Sequence, residues 1–198
     1  MARTEFKDYI TIAREFTGKY LKLSEEDLQL FASLIDERRK LKKGEVFVTE
    51  GMVCRHIVYV DKGLVRQFYY KDGHSVTEHF TSEGGSMHCI ESVYCQIPTR
   101  LMAEALEPSV VYYVNYARLA NLMEQSAGLC RFYRVYQEHD LIISQHKADA
   151  FRFESSKERY ERFLQEYPEA AKRAPLQHIA SYLLMSPETL SRVRSGVL

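Results

Sequence analysis

QHIASYLLMSPETLSRVR, residues 177–194, decides how this chain is read. Ile179, Tyr182 and Leu183 recur at helical spacing, and Leu190 and Val193 do so after a corner bridged by Met185. Ser186 is placed as an N-cap, Pro187 as a first-turn residue, and Glu188 as an acid at the positive end of a helix. Two short helices crossing at a tight turn make a helix-turn-helix, whose second helix enters the DNA major groove. At the base edges Glu188 can accept from a cytosine amino group, and Arg192, one turn on, can fork onto guanine. Ser186, Thr189, Ser191 and the free N–H groups of the helix start suit phosphates, and Thr189 equally suits a thymine methyl. The same spacing also fits a plain helical hairpin that finishes a fold.

Charge adds to the first reading. From Ala171 onward Lys172, Arg173, Arg192 and Arg194 face only Glu188, although Lys plus Arg and Asp plus Glu number 27 each over the chain. A basic tip on a mildly acidic body suits DNA contact at one end. The 198 residues, 45% hydrophobic and 27% charged, are ordinary for a globular protein of one or two domains. No apolar run reaches a membrane-spanning length, and MARTEFKDYITIAREF lacks the apolar core of a signal peptide, so a cytoplasmic protein with no membrane partner is expected. Cys54, Cys89, Cys95 and Cys130 include no closely spaced pair, so they read as free buried thiols rather than metal or cluster ligands.

Upstream the period changes twice. Residues 5–40 read as helical, with Ser24 as a cap before Glu25, Glu26 and Asp27, and Leu28, Leu30, Phe31, Leu34 and Ile35 as the apolar stripe. LKKGEVFVTEG, HIVYVDKG, LVRQFYYKDG and SVTEHF are short strands set off by Gly44, Gly51, Gly63 and the Asp72-Gly73 turn. Two more are expected near Leu101–Leu106 and Val110–Val114, giving a β-roll. EGGSMHCIESVYCQIPTR, between SVTEHF and Leu101, is too irregular for a strand and is where a pocket would open. After a short helix marked by Leu119 and Leu122, a long helix shows two seven-residue rows. They are Leu129, Tyr136, Ile143, Ala150 and Phe132, His139, His146, Phe153, which suggest a seam between two copies of the chain. An amphipathic helix packed on its own roll is the alternative. SSKERYERFLQEYP is a further helix, read without a capping box at Ser156, and Pro168 with AAKRAP reads as a linker.

The order of β-roll, long helix and helix-turn-helix resembles the Crp/Fnr (cyclic-AMP receptor-like) family of bacterial transcription regulators. LKKGEVFVTEG with YVDKGLVRQFYY is similar to the first half of its cyclic-nucleotide-binding-like roll, and IASYLLMSPETLSRVR to its helix-turn-helix. The resemblance implies an α+β fold: an N-terminal jelly roll with flanking helices, a long dimerisation helix and a C-terminal helix-turn-helix. The corresponding domains are 1–125 (sensor roll), 126–153 (dimerisation helix) and 154–198 (DNA-binding). The implied partners are double-stranded DNA, a second copy of the chain, a small-molecule effector and RNA polymerase, with no cofactor and no catalysis. The implied DNA-binding set is Ser186, Pro187, Glu188, Thr189, Ser191 and Arg192.

Departures from the family pattern bear on ligand and target. Members that bind cyclic AMP carry Gly-Glu and then Arg-Ser at the phosphate-binding segment. Here the nearest matches are Gly85-Ser86 and Thr99-Arg100, with Glu91 the nearest substitute acid, so cyclic AMP is not the expected effector. Those five residues are the candidate ligand set. Leu184 fills a turn position usually held by Gly, and Pro187 one usually held by Arg. The winged hairpin that often follows is absent from the sequence. A ligand- or partner-binding module with weak or no DNA binding is therefore the alternative function. A cupin-like metal site on His74, Glu78, His79 and His88 is a third reading, but the HxH pair such sites usually carry is missing.

Overall fold

The computed structural model describes residues 6–197. The outer ends of the first and last expected domains, residues 1–5 and 198, lie outside the described residues. The chain opens with α1 (Tyr9–Gly18) and α2 (Glu25–Ala32), each capped by a side chain, Asp8 and Ser24. Helix then gives way to β1 (Ile35–Leu41). This corrects the expectation of helix to residue 40: Leu34 and Ile35 continue the apolar stripe of α2 only in sequence.

Seven more strands follow: β2 (Val46–Val48), β3 (His56–Lys62), β4 (Val65–Lys71), β5 (His74–Thr81), β6 (Ser86–Met87), β7 (Met102–Ala105) and β8 (Ser109–Asn115). They form two antiparallel four-stranded sheets, in the orders β1-β8-β3-β6 and β2-β7-β4-β5. Asp72 and Gly73 turn between β4 and β5 with φ of 51° and 77°, the doubly left-handed geometry of a tight hairpin. The irregular segment resolves into β6 and the short helix α3 (Ile90–Cys95).

Strand period explains the layering. In β3, Ile57 and Tyr59 face the helices while Val58 and Val60 face the roll interior; β8 repeats this with Val110, Tyr112 and Val114 against Val111 and Tyr113. Both faces of this sheet are covered, which is why HIVYV and SVVYYV read as continuous apolar runs. The cover is α1, α2, α4 (Tyr116–Met123) and the first half of α5 (Ala127–Phe153). Gly128 admits α2 closely: a Cβ there would lie 2.2 Å from an Asp27 carboxylate oxygen.

Leu129, Phe132, Tyr133 and Tyr136 of α5 are buried in this same core, and Ala150 is buried farther along. Of the two seven-residue rows, Leu129, Phe132, Tyr136 and Ala150 are therefore buried within the chain and Ile143 is half-buried, while His139, His146 and Phe153 face solvent. A heptad pattern records burial and not which molecule provides it. The apolar residues that α5 leaves exposed are Leu141, Ile142 and Phe153.

The C-terminal unit is α6 (Ser156–Glu166), α7 (Pro168–Arg173), α8 (Leu176–Tyr182) and α9 (Pro187–Arg194). Two expectations are corrected. The cap of α6 is Ser155 rather than Ser156, and it makes a full capping box with Glu158. The expected linker is the helix α7, started by Pro168 at its first position. Cys89 is the buried thiol; Cys95 and Cys130 are exposed and Cys54 is half-buried, against the expectation that all were buried.

Candidate effector cavity and DNA-reading helix

Helices α8 and α9 meet at a corner built by backbone chemistry. Met185 N–H donates to Ala180 O at 3.0 Å and Leu184 N–H to Ser181 O at 3.2 Å, the paired bonds of a Schellman stop. The motif needs a left-handed residue, and Leu184 supplies it at φ 52° with a side chain 56% exposed. A Cβ in this conformation costs on the order of 1 kcal/mol. Ser186 then accepts from Thr189 N–H at 3.1 Å and opens α9. Ile179, Tyr182, Leu183, Leu190 and Val193 are all buried, so the inner faces are those read from the sequence.

The outer face of α9 presents Ser186, Pro187, Glu188, Ser191 and Arg192 to solvent, with Thr189 half-buried. The helix start holds the Glu188 carboxyl below its usual range through backbone N–H bonding, with Ser186 and then Arg192 adding to the effect. Among the described residues Arg192 and Arg194 have no acidic partner within ion-pair distance, so both guanidinium groups are available.

This unit is docked on β5. Phe80 inserts between Phe163, Tyr167 and Tyr182, with ring centroids 5.9, 6.3 and 5.7 Å away. Leu64 joins the same core. Thr77 N–H donates to Ser181 Oγ at 3.1 Å, and Ser181 Oγ donates to Thr77 Oγ1 at 2.9 Å. Arg173 of α7 grips Glu83 at 2.7 Å and Glu107 at 2.6 Å.

Between β5, the β6–α3 segment, α5 and α6–α7 lies a cavity of about 660 Å³. Gly85, Ser86, Glu91, Thr99 and Arg100 all border it. They differ in what they offer. Ser86 donates to Tyr136 Oη at 3.2 Å, whereas Arg100 is exposed with its guanidinium 5.9 Å from the Tyr69 ring. Glu91 is also exposed, and Thr99 is buried with Oγ1 accepting from Leu101 N–H at 3.0 Å.

The rest of the wall includes Glu78, His79 and His88, which the sequence offered only as metal ligands, and Asp140, Lys147 and Tyr167, which sequence reasoning missed. Glu78 binds Lys147 of α5 at 2.7 Å, and His79 Nδ1 meets Tyr167 Oη at 3.1 Å. His88 meets Tyr94 Oη at 3.1 Å and Tyr136 Oη at 3.3 Å. Desolvation pushes both imidazoles down to about 4, so both are neutral at pH 7; Lys147 adds to the effect at His79. A β-bulge at Glu78 explains this placement. Gln67 pairs with His79 and Phe68 with Thr77, leaving Glu78 as the extra residue. Nothing short of the strand pairing reveals it. Asp140 also borders the cavity, and burial raises its carboxyl.

Among the described residues no three His, Cys, Asp or Glu side chains converge as a metal site. His74 is exposed beside the hairpin turn, and His79 and His88 bond to tyrosines instead. No helix is long and apolar enough to cross a membrane among the described residues.

Residues 38–126 match the family model of the cyclic nucleotide-binding domain. The fold is similar to that of FixK2 from Bradyrhizobium japonicum, with a TM-score of 0.68 at 20% identity over 81% of this chain and 83% of that one. It is also similar to CLP, a c-di-GMP-responsive global regulator from Xanthomonas campestris. There the TM-score is 0.67 at 16% identity, covering 88% of this chain and 91% of that one. The catabolite activator protein of Thermus thermophilus matches with a TM-score of 0.55 at 18% identity, over 88% and 84% of the two chains. No curated protein matches the sequence.

Proposed function

The chain carries a cyclic nucleotide-binding domain at residues 38–126 on the fold of the Crp/Fnr regulators, and from that premise we propose that it is a transcription regulator that binds DNA as a homodimer. The observation that carries the reading is the exposed face of α9, where Glu188 and Arg192 stand one turn apart with, among the described residues, no ion-pair partner competing for the arginine. Ser186 and Thr189 with the helix start hold phosphates, while Ser191 and Arg194 lie farther along the groove. In this reading the sensor is residues 1–125, the dimerisation helix 126–153 and the DNA-binding unit 154–198. Leu141 and Ile142, exposed on α5, are the apolar surface for a second copy. Two-fold pairing sets the reading helices about 34 Å apart on one face of DNA.

The 660 Å³ cavity is the sensor site. Its border carries Glu78, Glu83, Glu91, Asp140 and Glu166 against Lys19, Lys147 and Arg100. Lys147 is engaged by Glu78, and Arg100 and Lys19 are exposed, so among the described residues an anionic cyclic phosphate meets no buried, unpaired cation on this border. A neutral or cationic effector fits this lining better than cyclic AMP does. Strand β5 links the two sites: Glu78 and His79 border the cavity while the adjacent Thr77 clasps Ser181 of α8. An effector that moves Glu78 or His79 changes how the DNA-reading unit is held, and so has the differential contact that coupling requires.

The test is selection of duplexes from a random pool by the purified protein. Recovery of a near-palindromic site bound more weakly as salt rises supports the proposal. Failure to enrich any site, with or without candidate effectors, leaves the alternative of a partner-binding module.

A further inference from the structure

Two thiols outside the DNA-reading scheme face each other where the main cavity adjoins a second one of about 320 Å³. Cys89, the residue before α3, borders both cavities, and Cys54 borders the smaller. Both pack in one core of the roll, and each thiol is the largest influence on the ionisation of the other. The backbone on both sides is tied down. Cys54 N–H donates to Ser92 Oγ at 2.8 Å, and Ser92 Oγ donates to Ile97 O at 2.6 Å. The segment holding Cys54 is thereby fastened to the helix that Cys89 begins.

The surroundings make the two sulfurs unequal. Gln67 Nε2 donates to Cys89 Sγ at 3.7 Å, and the Thr99 hydroxyl bonds there as well. Cys54, and these donors after it, pull the Cys89 thiol down to about 7 against the opposing effect of burial. Cys54, set against apolar residues, is pushed up, first by Cys89 and then by burial. One partner is thus poised as nucleophile and the other as the thiol that resolves it.

We propose that Cys54 and Cys89 form a redox modification site at which a hydroperoxide is reduced and the two thiols become an intramolecular disulfide. The Cys89 thiolate attacks the terminal peroxide oxygen, breaking the O–O bond to give a sulfenic acid and hydroxide or alkoxide, which takes up a proton. The Cys54 sulfur then attacks the Cys89 sulfur, forming the S–S bond and releasing the hydroxyl as water with the Cys54 proton. Two thiols lose two electrons, and the peroxide gains them. The smaller cavity gives a peroxide-sized molecule its approach, because both cysteines line it. This assignment is independent of DNA binding.

The test uses the full chain, reduced, freed of reductant, exposed to hydrogen peroxide and alkylated before digestion without reduction. The expected product links the Cys54 and Cys89 peptides and is lighter by two hydrogens, in wild type and in a Cys95→Ser, Cys130→Ser variant alike. Between pH 6 and pH 8 its rate rises less steeply than that of an ordinary thiol, which rises roughly eightyfold. In Cys54→Ser the oxidation stops at a trappable sulfenic acid on Cys89. Oxidation of Cys95 or Cys130 while Cys54 and Cys89 remain alkylatable overturns the proposal. A link that forms with the pH dependence of an ordinary thiol overturns the role given to Cys89. Mapping of the wild type decides the matter even if a serine variant folds poorly.

Discussion

Replacing Arg192 by Ala removes a side chain that the folded monomer does not use. Arg192 is exposed on α9 and, among the described residues, has no acidic partner within ion-pair distance; only Glu188, one turn back, feels its charge. Folding stability should therefore move by no more than about 0.5 kcal/mol, the usual range for surface substitutions. On DNA the same side chain is placed to make a bidentate contact with guanine, a contact whose discrimination is about 1–3 kcal/mol. In a two-fold complex it is lost twice, so about 2–6 kcal/mol disappears, a weakening of roughly thirtyfold to twenty-thousandfold. The assay is fluorescence anisotropy of a selected duplex at fixed salt, beside thermal melting of the free protein. Arg192→Ala should melt with wild type, bind the selected site far more weakly, and keep most of its affinity for unrelated DNA. Equal affinity of variant and wild type for the selected duplex would refute the assignment of α9 as the reading helix.

Leu184→Gly relieves a side chain held at φ 52° and should raise stability by about 1 kcal/mol, read as a higher melting temperature; a lower one would mean that Leu184 contributes packing its exposure does not suggest. Ile142→Asp puts a charge on the exposed apolar strip of α5 and should leave a folded monomer by sedimentation, whereas an unchanged dimer would move the interface elsewhere. Stability should also fall on acidification. His79 and His88 titrate near 4 when folded and near 6.5 when unfolded, so the unfolded chain takes up protons first. Their contribution is complete above about 6.5 and is lost as pH drops toward 4, at a limiting slope of about 1.4 kcal/mol per pH unit for each. Denaturant titrations from pH 7 to pH 5 that show no loss would mean that these rings are protonated inside the protein.

Local chemistry carried a large part of this protein's reading. The caps at Ser24 and Ser186, the Asp72-Gly73 hairpin and the apolar faces of α8 and α9 all depend on neighbours a few residues away, and all were legible. The errors came where a local pattern has more than one partner in space. Leu34 and Ile35 extend a helical stripe but lead into β1, and the first half of the α5 rows packs against the chain's own α1, α2 and roll. Ser155, adjacent to Ser156, takes the cap because its own third neighbour is Glu158.

By itself, the sequence determined most of the roll's strands and the helices that flank them, that strands lie between helices, and that the last helix shows an acid and an arginine on one face. Only the tertiary structure decided that β5 joins the cavity to the C-terminal helical unit, that His79 and His88 border that cavity as neutral groups, and that Cys54 and Cys89 border one smaller cavity. The reason is separation along the chain. Thr77 and Ser181 are 104 residues apart, and Cys54 lies 38 residues from its Ser92 anchor. A bulge of one residue at Glu78 redirects the strand between them, and no periodicity records contacts made at such range.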